Sequence, residues 1–457
     1  METQMKVAPF EAEVSLLLQF ARERGLEHVE VYARRDEALT LRANQGSLES
    51  FQRSHSMGIG VRVVDGESVG YAYSENLSAD ALRRALGEAA GNAELVEGEP
   101  GAGLPLDVPD ATAMDGLYNP QLDAVKLEDK IRHVLKSEET ARTCDARVKA
   151  VPGCVYSDAT SLVRVANSQG LDRYYQTNQS YSVVFPLVSF EGENRTGIDL
   201  RISRDFFQLD PEAIARAAVG HAVKRLGARP VKSGTYPVVF THRAMGDLLS
   251  AFSDVFSAKA ALEHKSLLAG KLGAQVASPL VSFIDDALML DGFASRPFDD
   301  EGVPSRRVAV VEAGVFKTFL HNTQTARRMQ AVSTGHAARG SYKGTVGVSP
   351  SNFYLQPGTA THQALVAGDG PVVMIDDLQG LHAGTNTISG DFSIQAQGWL
   401  YEKGEEVHAV SNITVAGNFL AMLAGVEAVG ADLHFYPHGA YIGAPSVRIA
   451  ALAIAGD

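Results

Sequence analysis

Cysteine is nearly missing from this chain: Cys144 and Cys154 are the only two in 457 residues. That excludes a disulfide framework, and their spacing is too wide for half of a zinc knuckle, so both read as ordinary thiols of a reducing compartment. No apolar run approaches the ~20 residues that cross a bilayer, so no membrane partner is expected. The opening Met1-Glu-Thr-Gln-Met-Lys6 lacks the basic-then-apolar pattern of a leader, and the expected location is the cytoplasm. Positive charge is scarce too. Against 54 acidic residues stand 41 Lys and Arg, a formal charge of −13. With no long Lys/Arg run, no nucleic-acid partner is expected, because such binding needs a basic face to replace counterions. A phosphate loop ending in Lys-Ser/Thr is also missing. Gly58-Ile-Gly60 falls within a predicted strand, not at a strand-to-helix turn, so nucleotide binding is not read from it.

What is present is ordinary globular material, 45% hydrophobic and 21% charged, long enough for two or three domains. Val14–Arg24 reads as an amphipathic helix stopped by Gly25. Strands are expected at Val29–Arg35, Ala38–Asn44, Ser47–Arg53, Met57–Val64 and Ser68–Ser74, followed by a helix from an N-cap at Ser78 to Asn92. Residues 95–118, rich in Gly, Pro and Asp, read as a linker. A long helix, Leu122–Arg142, precedes strand signals over Val148–Arg204, and Asp210 caps a helix running to Leu226. Beyond Gly227-Ala-Arg-Pro230 the pattern is mostly strand with recurring glycine turns, interrupted by a helix at Phe419–Ala428. The expected class is α+β. Three regions are read: an N-terminal α/β domain over 1–94, a central α/β region over 119–229, and a C-terminal β-rich domain, barrel or sandwich, over 231–457. The first two supply an antiparallel sheet flanked by helices.

The chemistry-bearing stretch is Tyr236-Pro-Val-Val-Phe-Thr-His-Arg-Ala-Met-Gly-Asp247. A short apolar strand runs into His242, Arg243 and Asp247 and then into the helical run Leu248–Phe256. A zinc peptidase can seat two histidine ligands at such a junction, with a glutamate beside the first as general base. Here the glutamate's place holds Arg243 and the second histidine's place holds Asp247. Arginine has no acceptor and cannot take a proton from a metal-bound water. His242 and Asp247 remain a legal nitrogen–carboxylate pair, but five residues apart on a helix they point about 140° apart. A solvated histidine at the helix start and a surface carboxylate explain them equally.

Several longer segments resemble one known family. They are Gly46-Ser-Leu-Glu-Ser-Phe-Gln52 with Gly58-Ile-Gly-Val-Arg-Val63, Ser266-Leu-Leu-Ala-Gly-Lys-Leu-Gly273, Ser295-Arg-Pro-Phe-Asp-Asp-Glu-Gly-Val-Pro-Ser305, Asn352-Phe-Tyr-Leu355, Thr385-Asn-Thr-Ile-Ser-Gly-Asp-Phe392, Ile413-Thr-Val-Ala-Gly-Asn418 and Gly443-Ala-Pro-Ser-Val-Arg-Ile449. Together they resemble the TldD/PmbA family over nearly the whole chain. The resemblance implies a two-subunit arrangement. A TldD-type subunit carries H-E-x-x-x-H and zinc, a TldE (PmbA) type lacks it, and the heterodimer cuts unfolded peptides. An older label for the family is modulator of DNA gyrase. This chain matches the motif at His242 and departs from it at Arg243 and Asp247. It also has no cysteine after Cys154 to supply the C-terminal zinc ligand of TldD. The resemblance therefore implies a TldE/PmbA-type subunit with no catalytic residues and no cofactor of its own. Zinc would sit in a TldD-like partner, and the substrate would be an unfolded peptide. A homodimeric peptide-binding scaffold and a hydrolase with a rebuilt metal site stay open as alternatives.

Other clusters carry less. Adjacent Glu263 and His264 suggest acid–base work, but Lys265 competes for the carboxylate, and a solvated polar face is the plainer reading. Asp285-Asp286 and Asp299-Asp300-Glu301-Gly302 are the densest acidic clusters. Hard cations take such oxygens, yet the spacing is not that of a calcium loop, so a structural turn is expected with Arg296, Arg306 and Arg307 as ion-pair partners. His321, His336, His362, His382, His408, His434 and His438 are scattered through the β-rich half, and His382, in Gly380-Leu-His-Ala-Gly384, stands out in a glycine-flanked turn.

Overall fold

The computed structural model describes residues 8–438 and 440–457. The N-terminal half is built on one seven-stranded sheet. Its antiparallel order is Ser68–Ser74, Ser47–Asp65, Val29–Asn44, Val148–Asn167, Asp172–Phe190, with Glu193–Thr196 and Asp199–Ser203 both on the outer edge of the last of these. The N-terminal and central regions thus share a sheet. Strand lengths exceed the expectation. Val29–Arg35 and Ala38–Asn44 are one 16-residue strand, and Ser47–Arg53 with Met57–Val64 is one of 19. The charged run Arg34-Arg35-Asp36-Glu37 does not break the first strand because residues two apart share a face. Arg34 pairs with Asp36 at 2.8 Å and Arg35 with Glu37 at 3.8 Å. The tight turn between the two strands is carried by Gln45 and Gly46, both at positive φ.

Helices cover one face of this sheet, here termed the inner face. Glu11–Glu23 and Ala79–Leu95 bury Leu17 and Leu86 against Val31 and Ile59. Leu127–Thr143 and Pro211–Val223 bury Val134 and Ala218 against Leu41 and Cys154. The long helix expected from Leu122 is split into Pro120–Asp123 and Leu127–Thr143. Asp210 caps as expected, accepting from the Glu212 and Ala213 amides. Ser78 holds the N-cap position of its helix without a side-chain cap bond.

On that inner face His133 is buried, 3.1 Å from the Ser182 hydroxyl and packed on the edges of Tyr156 and Phe206. Burial lowers its pKa from 6.5 to about 4, with Asp210 pulling weakly the other way. The folded state thus favours neutral imidazole. Its contribution is complete above the unfolded pKa of 6.5 and is lost as pH falls toward about 4. Denaturation midpoints should drop across that window, and His133→Leu should flatten the drop. An equally steep drop in the variant would assign the effect elsewhere.

The C-terminal half contains a closed five-stranded barrel in the order Glu405–Asn418, Asp391–Glu402, Pro371–Gln379, Gly234–Phe240, Val447–Ala455, sealed by pairing of Thr414–Ala416 with Ala453–Ala455. A second, six-stranded sheet ends on the strand His434–His438. Between them runs His242–Phe252, capped by Thr241, with Ala244, Leu248, Leu249 and Phe252 buried. The expected helix Phe419–Ala428 stops at Ala424. Gly425 follows, and Val426–Val429 is a strand on Val447–Ile449. The two β-branched valines suit the sheet that follows.

Candidate functional site

The strand Gly234–Phe240 delivers Thr241 to the start of its helix, and Thr241 accepts from the Ala244 amide at 3.4 Å. His242 is the first helical residue. Its amide donates to the Ser446 hydroxyl at 3.1 Å, and Ser446 in turn donates to Asp432 at 2.6 Å. The His242 ring lies against the strand His434–His438, whose alternate residues His434, Tyr436 and His438 face the helix. Nδ1 shares a 2.8 Å hydrogen bond with the Tyr436 hydroxyl. The imidazole of His434 stacks on His242 with centroids 4.3 Å apart. Burial first, then His434, holds the His242 pKa below its ordinary value, while Asp432 and Asp376 oppose this. The imidazole is therefore neutral near pH 7. Burial also pushes the Tyr436 phenol up, keeping it protonated.

Arg243 turns away from His242 and meets Asp377 at 3.5 Å. Arg225, from the central region, meets Asp376 at 2.9 Å, and Asp376 also accepts from Thr241 at 3.1 Å. Asp247 faces His438 at 3.2 Å. The divergence expected of residues five apart is thus resolved by one strand, which meets His242 at His434 and Tyr436 and Asp247 at His438. These groups line a cleft of about 840 Å³, which also takes in Trp399, Tyr401, His362 and Glu406 from the barrel side and Leu200, Ile202, His221 and Lys224 from the central region. Of the 13 histidines, five line it: His221, His242, His362, His434 and His438. Two strand edges border it with no pairing partner among the described residues, Asp199–Ser203 and His434–His438.

A catalytic zinc needs about three protein donors converging on one point with a fourth position open. Here Nδ1 of His242 is engaged by Tyr436, the nearest imidazole is stacked rather than convergent, and the base position holds an ion-paired arginine. Among the described residues no group of three or more His, Cys, Asp or Glu is arranged to hold a metal ion. The residues present do not fit a catalytic zinc.

The remaining candidates fall elsewhere. Glu263 is tied to Lys265 at 2.8 Å on an exposed turn. His382 is exposed and outside the cleft. His336 is buried, 2.9 Å from Asp285, which also holds Ser351. The Asp299–Glu301 turn is buried, not solvated. Of the expected arginines, Arg296 is half-buried near it, where burial lowers its pKa but Asp300 and Asp299 outweigh that and raise it. The direct contacts come from elsewhere. Arg62 bridges Glu30 at 2.7 Å and Glu301 at 3.0 Å, Arg339 bonds Glu30, and Asp300 accepts from the Tyr32 hydroxyl at 3.2 Å and the Arg339 amide at 2.6 Å. Of the three expected arginines, Arg307 approaches Asp286 at 3.9 Å, and Arg306 donates to the Ser333 carbonyl at 2.6 Å. Gly66-Glu-Ser-Val-Gly70 has the spacing of a serine nucleophile elbow. It lies in a hairpin, and Ser68 donates to the Val96 carbonyl at 3.2 Å, so it has neither the strand-to-helix turn nor the histidine that such chemistry needs.

The comparisons with known proteins agree with this architecture. Residues 29–93, 120–226 and 233–456 match the models for domain 1, the central domain and the C-terminal domain of the PmbA/TldA metallopeptidases. These three matches place the chain in the class of three-part metallopeptidase-family chains. Among relatives, the metalloprotease PmbA homolog of Haemophilus influenzae is 26% identical over 97% of this chain and 95% of that protein. The metalloprotease TldD homolog of the same organism is 25% identical over 95% and 94%. A crystal structure from Thermotoga maritima, described under the heading of a modulator of a DNA gyrase, is 30% identical, covers 98% of this chain and 100% of its own, and has a TM-score of 0.90. TldE from Thermococcus kodakarensis, at 22% identity, shares the fold over 97% of this chain and 100% of its own, with a TM-score of 0.88. The chain belongs to the PmbA/TldD metallopeptidase family. No helix among the described residues is long and apolar enough to cross a membrane.

Proposed function

We propose that this chain is the TldE/PmbA-type, non-catalytic subunit of a two-chain cytoplasmic zinc peptidase that acts on unfolded peptides. A TldD-type partner would supply the metal and the general base. The reading rests chiefly on Arg243. It stands where the base would be and is drawn toward Asp377 at 3.5 Å, away from His242. The two unpaired strand edges along the cleft support an extended peptide as ligand, because main-chain pairing accepts many sequences.

Elemental mass spectrometry on the untagged chain purified alone should find essentially no zinc. Adding a TldD-type chain should produce cleavage of an unfolded peptide that neither chain achieves separately. Trp399, the single tryptophan, lines the cleft and reports peptide binding by its fluorescence. Close to one zinc per chain, lost in His242→Ala, would refute the reading and point to a rebuilt site.

A further inference from the structure

Five carboxylates line the cleft, and four of them are answered. Asp199 meets Arg201 at 2.8 Å, Asp247 meets His438 at 3.2 Å, and Asp376 meets Arg225 at 2.9 Å. Asp432 accepts from the Ser446 amide at 2.9 Å and its hydroxyl at 2.6 Å. Glu406 is the fifth. Among the described residues no Lys, Arg or His pairs with it, and its carboxylate accepts only one long hydrogen bond, 3.4 Å from the Tyr401 hydroxyl to Oε2. Local structure puts it there. Tyr401 pairs across the strands with Glu406, but Leu400 pairs with His408, so Val407 is an extra residue. Such a bulge re-aims the side chains beside it. Trp399 and Tyr401, two apart on their strand, share the outer face of the barrel, where they form one apolar cluster with Met374 and Leu365. Trp399 is half-buried there. Burial, and then Glu406, push the Tyr401 phenol up to about 12, so it stays a hydrogen-bond donor.

We infer that Glu406, Trp399 and Tyr401 form a subsite for a primary ammonium group of a bound peptide, carried by its amino terminus or by a lysine side chain. A carboxylate beside an aromatic face suits an organic cation, which is attracted by the ring as well as by the charge. The Tyr401 hydroxyl takes Oε2 and leaves Oε1 for a single donor. A guanidinium binds best when both oxygens are open to it, whereas an ammonium is a point charge and needs one. A hard metal ion would need several oxygens, and this wall supplies one carboxylate. Arg225 and Arg243, the cations nearest the helix start, are held by Asp376 and Asp377 and do not compete. The inference rests on the reading of the cleft as a peptide site. It adds a selectivity that main-chain pairing lacks, because it sorts peptides by where their amines lie.

Trp399 is the single tryptophan, so fluorescence titration of the full chain reads the subsite directly. Three unfolded peptides separate the sources: a lysine-free sequence with a free amino terminus, the same sequence acetylated, and the acetylated sequence with one internal lysine. The acetylated lysine-free peptide should bind at least about tenfold more weakly than one or both of the others. Whichever amine-bearing peptide is tight identifies the source. Glu406→Gln, an isosteric change at an exposed side chain, should abolish the difference. Three peptides bound alike, or a difference that survives Glu406→Gln, overturn the subsite and leave the peptide reading standing. If no peptide binds, the peptide reading fails, and n-butylammonium chloride decides the subsite alone. Quenching of Trp399 in the wild type and not in Glu406→Gln upholds it; the same response in both, or none in either, overturns it.

Discussion

Arg62→Ala should cost about 3–5 kcal/mol of folding stability, the usual penalty for removing one member of a buried charge network. Arg62 is 8% exposed and bridges Glu30 and Glu301, each 1% exposed. Its loss leaves Glu301 with only the Thr323 amide, at 2.8 Å, and Glu30 with Arg339 alone. Because Glu30 belongs to the N-terminal sheet and Glu301 to the C-terminal half, the damage falls on their docking. Calorimetry should show it as a lowered first transition. A replacement that removes all the charges, Arg62→Met with Glu30→Leu and Glu301→Leu, should recover much of the loss. A change below about 1 kcal/mol for Arg62→Ala would mean that water replaces the guanidinium, and the network could not be what seats the halves.

Phe252→Ala should cost about the same, roughly 3–5 kcal/mol, by a different cause. Phe252 is fully buried at the end of the helix that begins at His242, and its ring stacks on Phe419 with centroids 4.3 Å apart. Truncation leaves a cavity between the barrel and the helix, and the close packing around it allows only partial collapse. The effect should appear in the C-terminal transition, and the cleft should loosen with it, because the same helix carries His242 and Asp247. Val332→Ala, at a side chain 74% exposed, should change stability by no more than about 0.5 kcal/mol. Equal effects of the two substitutions would contradict the packing account.

The sequence shows the strand-to-helix junction at 236–247 and the arginine that occupies the base position, because both are local. It does not show what Arg243 does instead. Asp377 is remote in sequence and arrives only through the parallel pairing of Pro371–Gln379 with Gly234–Phe240. The histidines illustrate the same limit. His382 draws notice from its local glycine turn, yet it is exposed outside the cleft. His362, His434 and His438 have no local mark; His434 and His438 reach the cleft by sheet register, and His362 from the start of the short helix His362–Val366. Tyr436, Asp376, Asp432 and Arg225 also carry no signal that separates them from ordinary core or surface residues. The acidic run at 299–301 is legible as a cluster but not as buried, since its counter-charges Arg62 and Arg339 lie far away in the chain. Strand boundaries at 35–38 were obscured by charges that the folded strand pairs on its own surface.

The barrel's seam has a consequence for synthesis. Its first strand, Gly234–Phe240, takes Val447–Ala455 as one neighbour, and that strand also closes the ring against Glu405–Asn418. A nascent chain therefore cannot close the barrel until residues 447–455 have left the ribosome. Until then an apolar strand edge at Val238 and Phe240 waits for a partner more than two hundred residues downstream. Contacts of such long sequence separation form slowly. During translation this edge is the part of the molecule most in need of a chaperone.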